Sequence, residues 1–316
     1  MIHPALDPLD LRVIAALQIN GRASWRAVAQ ALGQSERTVA RRGTRLLETG
    51  VVRVVGLENF AETAVVRLRC APGAARRAAA ALAGREDVVF ACTVAGVADC
   101  VAELQCPAER LEALALDELP QLPGALGHEL VPVLRYYRTA REWRPFPLAD
   151  EQAALLDTEP APVQGPTPPE GEQSADELAI LRALARDGRL THEELAAIAG
   201  VSKATARRRV EQLIASARVA IRAVVAPGPL GLPVESLLWV RTRPGAQERT
   251  ARRLLGEPMV RYAAALMGEF DLLVNTTHRS RRELHAFLTE SAWLQEVDRV
   301  SPSLVLGSLK RGGLSR

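Results

Sequence analysis

Residues 20–42, NGRASWRAVAQALGQSERTVARR, recur without a gap 167 residues later as DGRLTHEELAAIAGVSKATARRR at 187–209. A second stretch, VAGVADCVAEL at 94–104, recurs as LMGEFDLLVNT at 266–276, now at an offset of 172. The proline- and glycine-rich APGPLGLP at 226–233 absorbs the five-residue difference. No other feature constrains the fold as much, because each copy must be a structural unit with its own apolar face to bury. The chain is a tandem duplication, and each copy has a basic helical part followed by a part of different character.

The basic part reads as three short helices. Leu9, Val13, Ile14 and Leu17 are spaced for one helix face, and Gly21 is expected to end that helix as a left-handed cap. Ser24 caps a second helix with Val28, Ala29 and Leu32 inward, Gly33 makes a turn, and Ser35 caps a third with Val39, Leu46 and Leu47 inward. The second copy repeats this with Ile180, Leu181 and Leu184, then Thr191, Leu195 and Gly200, then Ser202, Val210 and Leu213. Two helices joined by a short glycine-containing turn are the helix-turn-helix signature.

The second part reads as strand 64–70, helix 74–83, strands 87–95 and 99–106, a helix at 107–119 and strand 126–138. In the other copy the order is strand 236–243, helix 245–255, strands 259–267 and 270–277, helix 280–290 and strand 297–307. Strand-helix-strand-strand-helix-strand is the ferredoxin-like order, an open antiparallel sheet with both helices on one face. The bare face of each sheet needs a partner. Between the copies EPAPVQGPTPPEGEQ, residues 159–173, is too rich in proline and glycine to pack and reads as a linker.

At 316 residues there is room for several cores. No apolar run approaches the roughly 18 residues of a membrane helix, and the start lacks a signal-peptide layout, so a cytoplasmic protein is expected with no membrane partner. Cys70, Cys92, Cys100 and Cys106 lack Cys-x-x-Cys spacing and a nearby histidine, so they read as reduced thiols packed in a sheet. No metal site and no cofactor are expected.

Charge is segregated along the chain. Residues 145–177 carry eight carboxylates and no lysine or arginine, whereas the cations gather on and just after the third helix of each basic part. Such clustering points to a polyanion. A helix-turn-helix lays its second helix in the major groove of double-stranded DNA, where arginine reads guanine and arginine or lysine neutralises phosphate. The candidate contacts are Ser35, Glu36, Arg37, Thr38, Arg41, Arg42, Arg45 and Arg53 in the first copy. In the second they are Ser202, Lys203, Thr205, Arg207, Arg208 and Arg222. Ala40 and Ala204 leave room for close approach, while Gly43 sits mid-helix at a cost of about 1 kcal/mol relative to alanine.

A helix-turn-helix coupled to a ferredoxin-like domain with Gly-x-x-Asp between its middle strands resembles the Lrp/AsnC family of transcriptional regulators. The carrying residues are ELAAIAGVSKATARRRVEQL (194–213) and MGEFDLLV (267–274), with GQSERTVARRGTRLLETGVV (33–52) and GVAD (96–99) in the first copy. The resemblance implies an α+β fold of two winged helix-turn-helix domains, 1–58 and 174–228, and two ferredoxin-like βαββαβ domains, 62–140 and 234–312, with an acidic linker at 141–173. Family members dimerise through their sheets, so an intrachain pseudo-dimer is implied, with self-association of such pseudo-dimers. An amino acid or similar effector is implied near Gly96 and Asp99, and near Gly268, Phe270 and Asp271. The first copy has Ala98 where the second has the aromatic.

Duplicated relatives of this architecture include the sirohaem decarboxylases, which use histidine, arginine and tyrosine on a tetrapyrrole. The corresponding stretches here, RVVGLENF (53–60) and RAVVAPGPLG (222–231), offer no general acid. None of His3, His128, His192, His278 and His285 follows a basic part at that place, so no catalytic residue is assigned.

Overall fold

Helix α1 (Pro8–Ile19) starts where Asp7 accepts the backbone N–H groups of Leu9 and Asp10, with a proline in the first turn that needs no donor. Ser24 and Ser35 cap α2 (Trp25–Leu32) and α3 (Glu36–Glu48), and Gly33 turns between them at φ 63°. The computed structural model describes residues 6–58, 62–140, 142–157, 174–216 and 218–315. His3, the linker stretch 159–173 and Ala217, which takes the place of Gly50 in the second copy, lie outside the described residues. No helix among those described is long and apolar enough to cross a membrane. The chain divides into two compact units, Met1–Asn59 with Arg144–Leu230, and Phe60–Trp143 with Gly231–Arg316.

The first unit holds both headpieces. Strand β1 (Val52–Glu58) follows α3. In the other copy the corresponding elements are α7 (Ala175–Arg186), α8 (His192–Ala199), α9 (Lys203–Ala215) and β6 (Val219–Val225). The wing is shared: β1 and β6 form one antiparallel ribbon, Val52 opposite Val225 and Val55 opposite Arg222. Each first helix packs on the other copy's strand, α1 on β6 and α7 on β1. Gly21 is not the left-handed cap expected of it, since Asn20 ends α1 in an extended conformation. Its requirement is closeness: a Cβ there would stand 2.8 Å from Val54 Cγ1 of the ribbon.

The second unit holds both ferredoxin-like domains. The first contains β2 (Glu62–Cys70), α4 (Ala75–Gly84), β3 (Val88–Ala95), β4 (Cys100–Cys106), α5 (Leu111–Ala113) and β5 (Ala125–Arg138). The expected helix at 107–119 is instead broken, with 3-10 turns and a π-helical stretch flanking α5. The second domain contains β7 (Val234–Thr242), α10 (Gln247–Leu255), β8 (Val260–Leu266), β9 (Leu272–His278), α11 (Arg281–Glu290) and β10 (Val297–Arg311), with the short β11 (Leu314–Ser315) paired to β10.

The bare sheet faces meet, as the family resemblance implied. Val65, Cys92, Val101, Leu237, Trp239, Tyr262 and Leu273, drawn from both copies, form one apolar interior, and the helices cover the outer faces. The edges are closed as well. β5 leaves β2 and continues against β8, while β10 leaves β7 and continues against β3. Gly96 admits one of these crossings, because a Cβ there would lie 2.6 Å from Ser303 Oγ and 3.0 Å from its Cα. The crossing strands also deliver cations to the opposite copy. Arg138 donates to the carbonyls of Leu255 at the end of α10 and Val260 at the start of β8, and Lys310 donates to that of Arg85 after α4.

Part of the segment assigned to the linker is structured. Helix α6 (Asp150–Ala154) forms within it, and Leu156 is buried, its carbonyl accepting from Asn20 Nδ2 at 3.2 Å. An apolar AALL run inside an acidic, proline-rich stretch is enough to dock. The four cysteines are unpaired, and burial pushes the Cys100 thiol up to about 12.

Candidate nucleic-acid interface and effector cleft

The two recognition helices α3 and α9 begin alike. Ser35 Oγ accepts the Thr38 N–H at 3.3 Å and Ser202 Oγ accepts the Thr205 N–H at 3.1 Å. In each pair the two hydroxyls also bond to one another, so all four side chains serve the helix starts.

The arginines divide into two sets. Arg42, read from sequence as facing DNA, is turned inward instead: its Nη1 donates to Asp7 and to Asp10 Oδ1 at 2.9 Å, tying α3 to the start of α1. Arg45 joins it on Asp10 Oδ2 at 2.6 Å. Asp10 is 1% exposed, which leaves its charge no solvent to fall back on. Arg209 repeats the tie in the second headpiece, donating to Asp176 and Glu177. Backbone donors from α1 and the Arg42 guanidinium hold the Asp7 carboxyl below its usual range. Replacing Arg42 with methionine is expected to lower headpiece stability by about 1–2 kcal/mol, whereas Arg41→Met should stay within about 0.5 kcal/mol. Urea unfolding of the two variants checks the contrast, and equal effects would remove Arg42 from the anchor set.

What remains exposed is Glu36, Arg37 and Arg41 on α3, and Lys203, Ala204, Arg207 and Arg208 on α9. Arg37, Arg41 and Arg208 have no hydrogen bond or ion pair among the described residues. Lys203 pairs with Glu193, and Arg207 with Glu211 at 2.8 Å. The first helix therefore offers unengaged cations, and the second is partly self-neutralised. Arg53 is exposed on β1, and Arg222 is half-buried on β6, its Nη1 donating to the Ile221 carbonyl. Gly43 has a specific neighbour: a Cβ there would be 2.3 Å from the Trp25 ring, so the indole occupies the place of a side chain.

Of the residues expected around an effector, Asp271 alone lines a cleft of about 800 Å³, together with Arg241, Arg243, Gln247, Glu248, Asp298 and Arg299. Asp271 Oδ2 accepts from the Thr242 N–H at 2.6 Å and from its hydroxyl at 3.0 Å. Phe270 belongs to the interior rather than the lining: it is 4% exposed and packs on Trp239 with centroids 6.2 Å apart. Its aromatic type signalled burial as much as binding. Gly268, at φ 150°, also stands outside the lining. In the first copy Asp99 keeps the backbone contact, accepting from the Cys70 N–H at 2.8 Å. The positions matching Arg243, Asp298 and Arg299 there are Ala71, Leu126 and Gly127, and Glu248 is matched by Arg76, so that copy keeps only Arg69 and Asp99, the counterparts of Arg241 and Asp271, from the charged lining. The 172-residue offset already carried this signal.

A family model for the AsnC-type helix-turn-helix domain matches residues 6–47 and again 177–214, and one for the Lrp/AsnC ligand binding domain matches 235–314. An uncharacterised helix-turn-helix-type transcriptional regulator of Pyrococcus abyssi is 27% identical over 139 residues, covering 44% of this chain and 88% of its own length. The helix-turn-helix-type regulator FL11 of Pyrococcus furiosus is 24% identical over 128 residues, 40% of this chain and 85% of its own. Relatives that are nearly spanned by under half of this chain are what a fusion of two such units predicts. Among solved structures, the siroheme decarboxylase NirDL is similar over 96% of this chain and 92% of its own at a TM-score of 0.66, with 12% sequence identity, which is a likeness of fold.

Proposed function

Because the chain belongs to the Lrp/AsnC family, with two of its units fused in one polypeptide, we propose that it is a sequence-specific DNA-binding transcriptional regulator, acting in the cytoplasm and responsive to an amino acid or similar small effector. The observation that carries this reading is the pair of headpieces joined by one ribbon, each presenting a recognition helix with outward cations. Arg37, Arg41, Lys203, Arg207 and Arg208 are the contacts we assign, with Arg53 and Arg222 as flanking phosphate contacts. Arg42 and Arg45 are left to the fold. The helices differ at Glu36 against Lys203 and Arg37 against Ala204, so the preferred site has unlike halves. Arg241, Arg243 and Arg299 suit an effector carboxylate, and Asp271 and Glu248 suit its ammonium. One such cleft per chain is the expected stoichiometry.

Enrichment of genomic fragments on the purified protein, at low and high salt, tests the reading. A few shared sites with unlike halves should persist above a background that falls steeply with salt. Uniform recovery at every salt concentration would leave only an unspecific binder. The fold likeness to a siroheme decarboxylase keeps an enzyme as the second reading, for which tetrapyrrole absorbance retained on the purified protein is the marker. The histidines argue against it: the His128 ring bonds to the Ala115 carbonyl, and His278 is 2% exposed and packs on Phe287.

A further inference from the structure

The two headpieces hold one another by a reciprocal pair of arginines. Arg22 of the first donates to the carbonyls of Gly188 and Leu190 in the second, at 2.7 and 2.8 Å. Arg189 of the second donates to those of Gly21 and Ala23 in the first, at 2.6 and 3.2 Å. The two arginines occupy matching positions of the repeat, in NGR and DGR. Each loop is preset by its own side chain, as Asn20 Oδ1 accepts the Arg22 N–H and Asp187 Oδ1 accepts the Arg189 N–H. The loops lie directly on the ribbon: Gly188 N–H donates to the Val54 carbonyl at 2.8 Å, and a Cβ on Gly188 would meet Ile221 at 2.9 Å.

The carbonyls gripped are those just before Ser24 and Thr191, the caps of α2 and α8. A fork that bonds two carbonyls of one loop fixes orientation as well as distance, which a single point charge does not. The grip also reaches a recognition helix. The Arg189 guanidinium lies 4.6 Å over the Trp25 ring, and that ring rests on Gly43 in the middle of α3. On the other side the matching residues are His192 and Val210, so α9 lacks the stacked ring. Burial, followed by the charge of Arg22, holds His192 below its usual pKa.

Resting on the DNA-binding reading above, the geometry points to Arg22 and Arg189 as the residues that set the separation of the two recognition helices, and with it the half-site spacing the chain accepts. Neither residue lies on a recognition helix. The ribbon alone is a two-stranded element free to twist, and the arginine forks remove that freedom. Spacing is thereby specified apart from base readout, and the Trp25 stack makes α3 the more firmly held of the two readers.

The test has two readings on the full chain. Nitroxides attached through Glu36→Cys and Lys203→Cys, in a Cys70→Ser background, report the helix separation by pulsed electron resonance without DNA. Duplexes carrying the selected half-sites at separations stepped by one base pair report the spacing preference. The Arg22→Met/Arg189→Met variant should broaden the distance distribution. It should also flatten an about 100-fold discrimination against spacings two base pairs off to about threefold. Where the double replacement unfolds, Arg189→Lys keeps the charge without the fork and should relax the spacing part-way. Folded variants with the wild-type distance distribution and the wild-type spacing profile would overturn the assignment. A wild type that binds no duplex would overturn the half-site role together with the DNA-binding reading, whereas an unbroadened distance distribution in the variant counts against the clamp alone.

Discussion

Replacing Glu235 with alanine is expected to cost the sheet unit about 3–5 kcal/mol, the penalty for leaving buried charge without its partner. Arg311 grips Glu235 with both ends of its guanidinium, at 3.0 and 2.7 Å. Arg261 stands 3.5 Å away, and Asn275 donates to the same carboxylate at 3.0 Å. The side chains of Arg261, Glu235 and Arg311 are 5, 7 and 8% exposed. With the carboxylate gone, the two guanidiniums would be left against Phe90 and Trp143, and among the described residues no other carboxylate pairs with either. Urea unfolding followed by tryptophan fluorescence should show the loss as a lower midpoint with an unchanged slope. Removing the whole group, as Glu235→Leu/Arg261→Met/Arg311→Met, should recover most of it, since apolar side chains of similar volume carry no desolvation penalty. A Glu235→Ala protein within about 1 kcal/mol of wild type would mean that water reaches the arginines, against the burial argued above.

On DNA, the Arg37→Ala/Arg41→Ala variant is expected to bind about 100-fold more weakly at low salt, with the slope of log affinity against log salt reduced by about 1.8 for two lost phosphate contacts. Among the described residues these cations have no hydrogen-bond or ion-pair partner, so stability should change by less than about 0.5 kcal/mol on their removal. The same exchange at Lys203 and Arg207 should cost less, because Glu193 and Glu211 already compete for those charges. Gel-shift titrations at several salt concentrations separate the cases. A loss confined to the selected operator assigns base readout to α3, and an equal loss on all duplexes assigns phosphate contact. A fall smaller than threefold would remove α3 from the interface.

Much of this architecture was legible in the chain. The capping serines, the threonine at Thr191 and the turn glycines Gly33 and Gly200 are local signals whose chemistry is complete within a few residues. The strand order of each ferredoxin-like domain followed from alternation and spacing in the same way. What escaped was non-local. The pairing of β1 with β6, and the passage of β5 and β10 onto the opposite sheet, rest on backbone hydrogen bonds, which carry no side-chain signature. Gly21 and Gly43 showed as glycines, but the ribbon and the indole that require them lie elsewhere in the chain. Phe270 matched an expected motif while its ring was needed by the interior.

By itself the sequence determined that there are two helical headpieces and two ferredoxin-like units, that the bare face of each needs a partner, and which helices carry the positive charge, because repeats, periodicity and composition are properties of the chain as written. Only the tertiary structure decided which of those charges are free to meet another molecule. Arg41 and Arg42 are neighbours of the same type, and what separates them is the presence of Asp7 and Asp10, more than thirty residues away in the chain, beside one guanidinium and not the other. Ion pairing depends on distance and burial, and those exist only once the chain has folded.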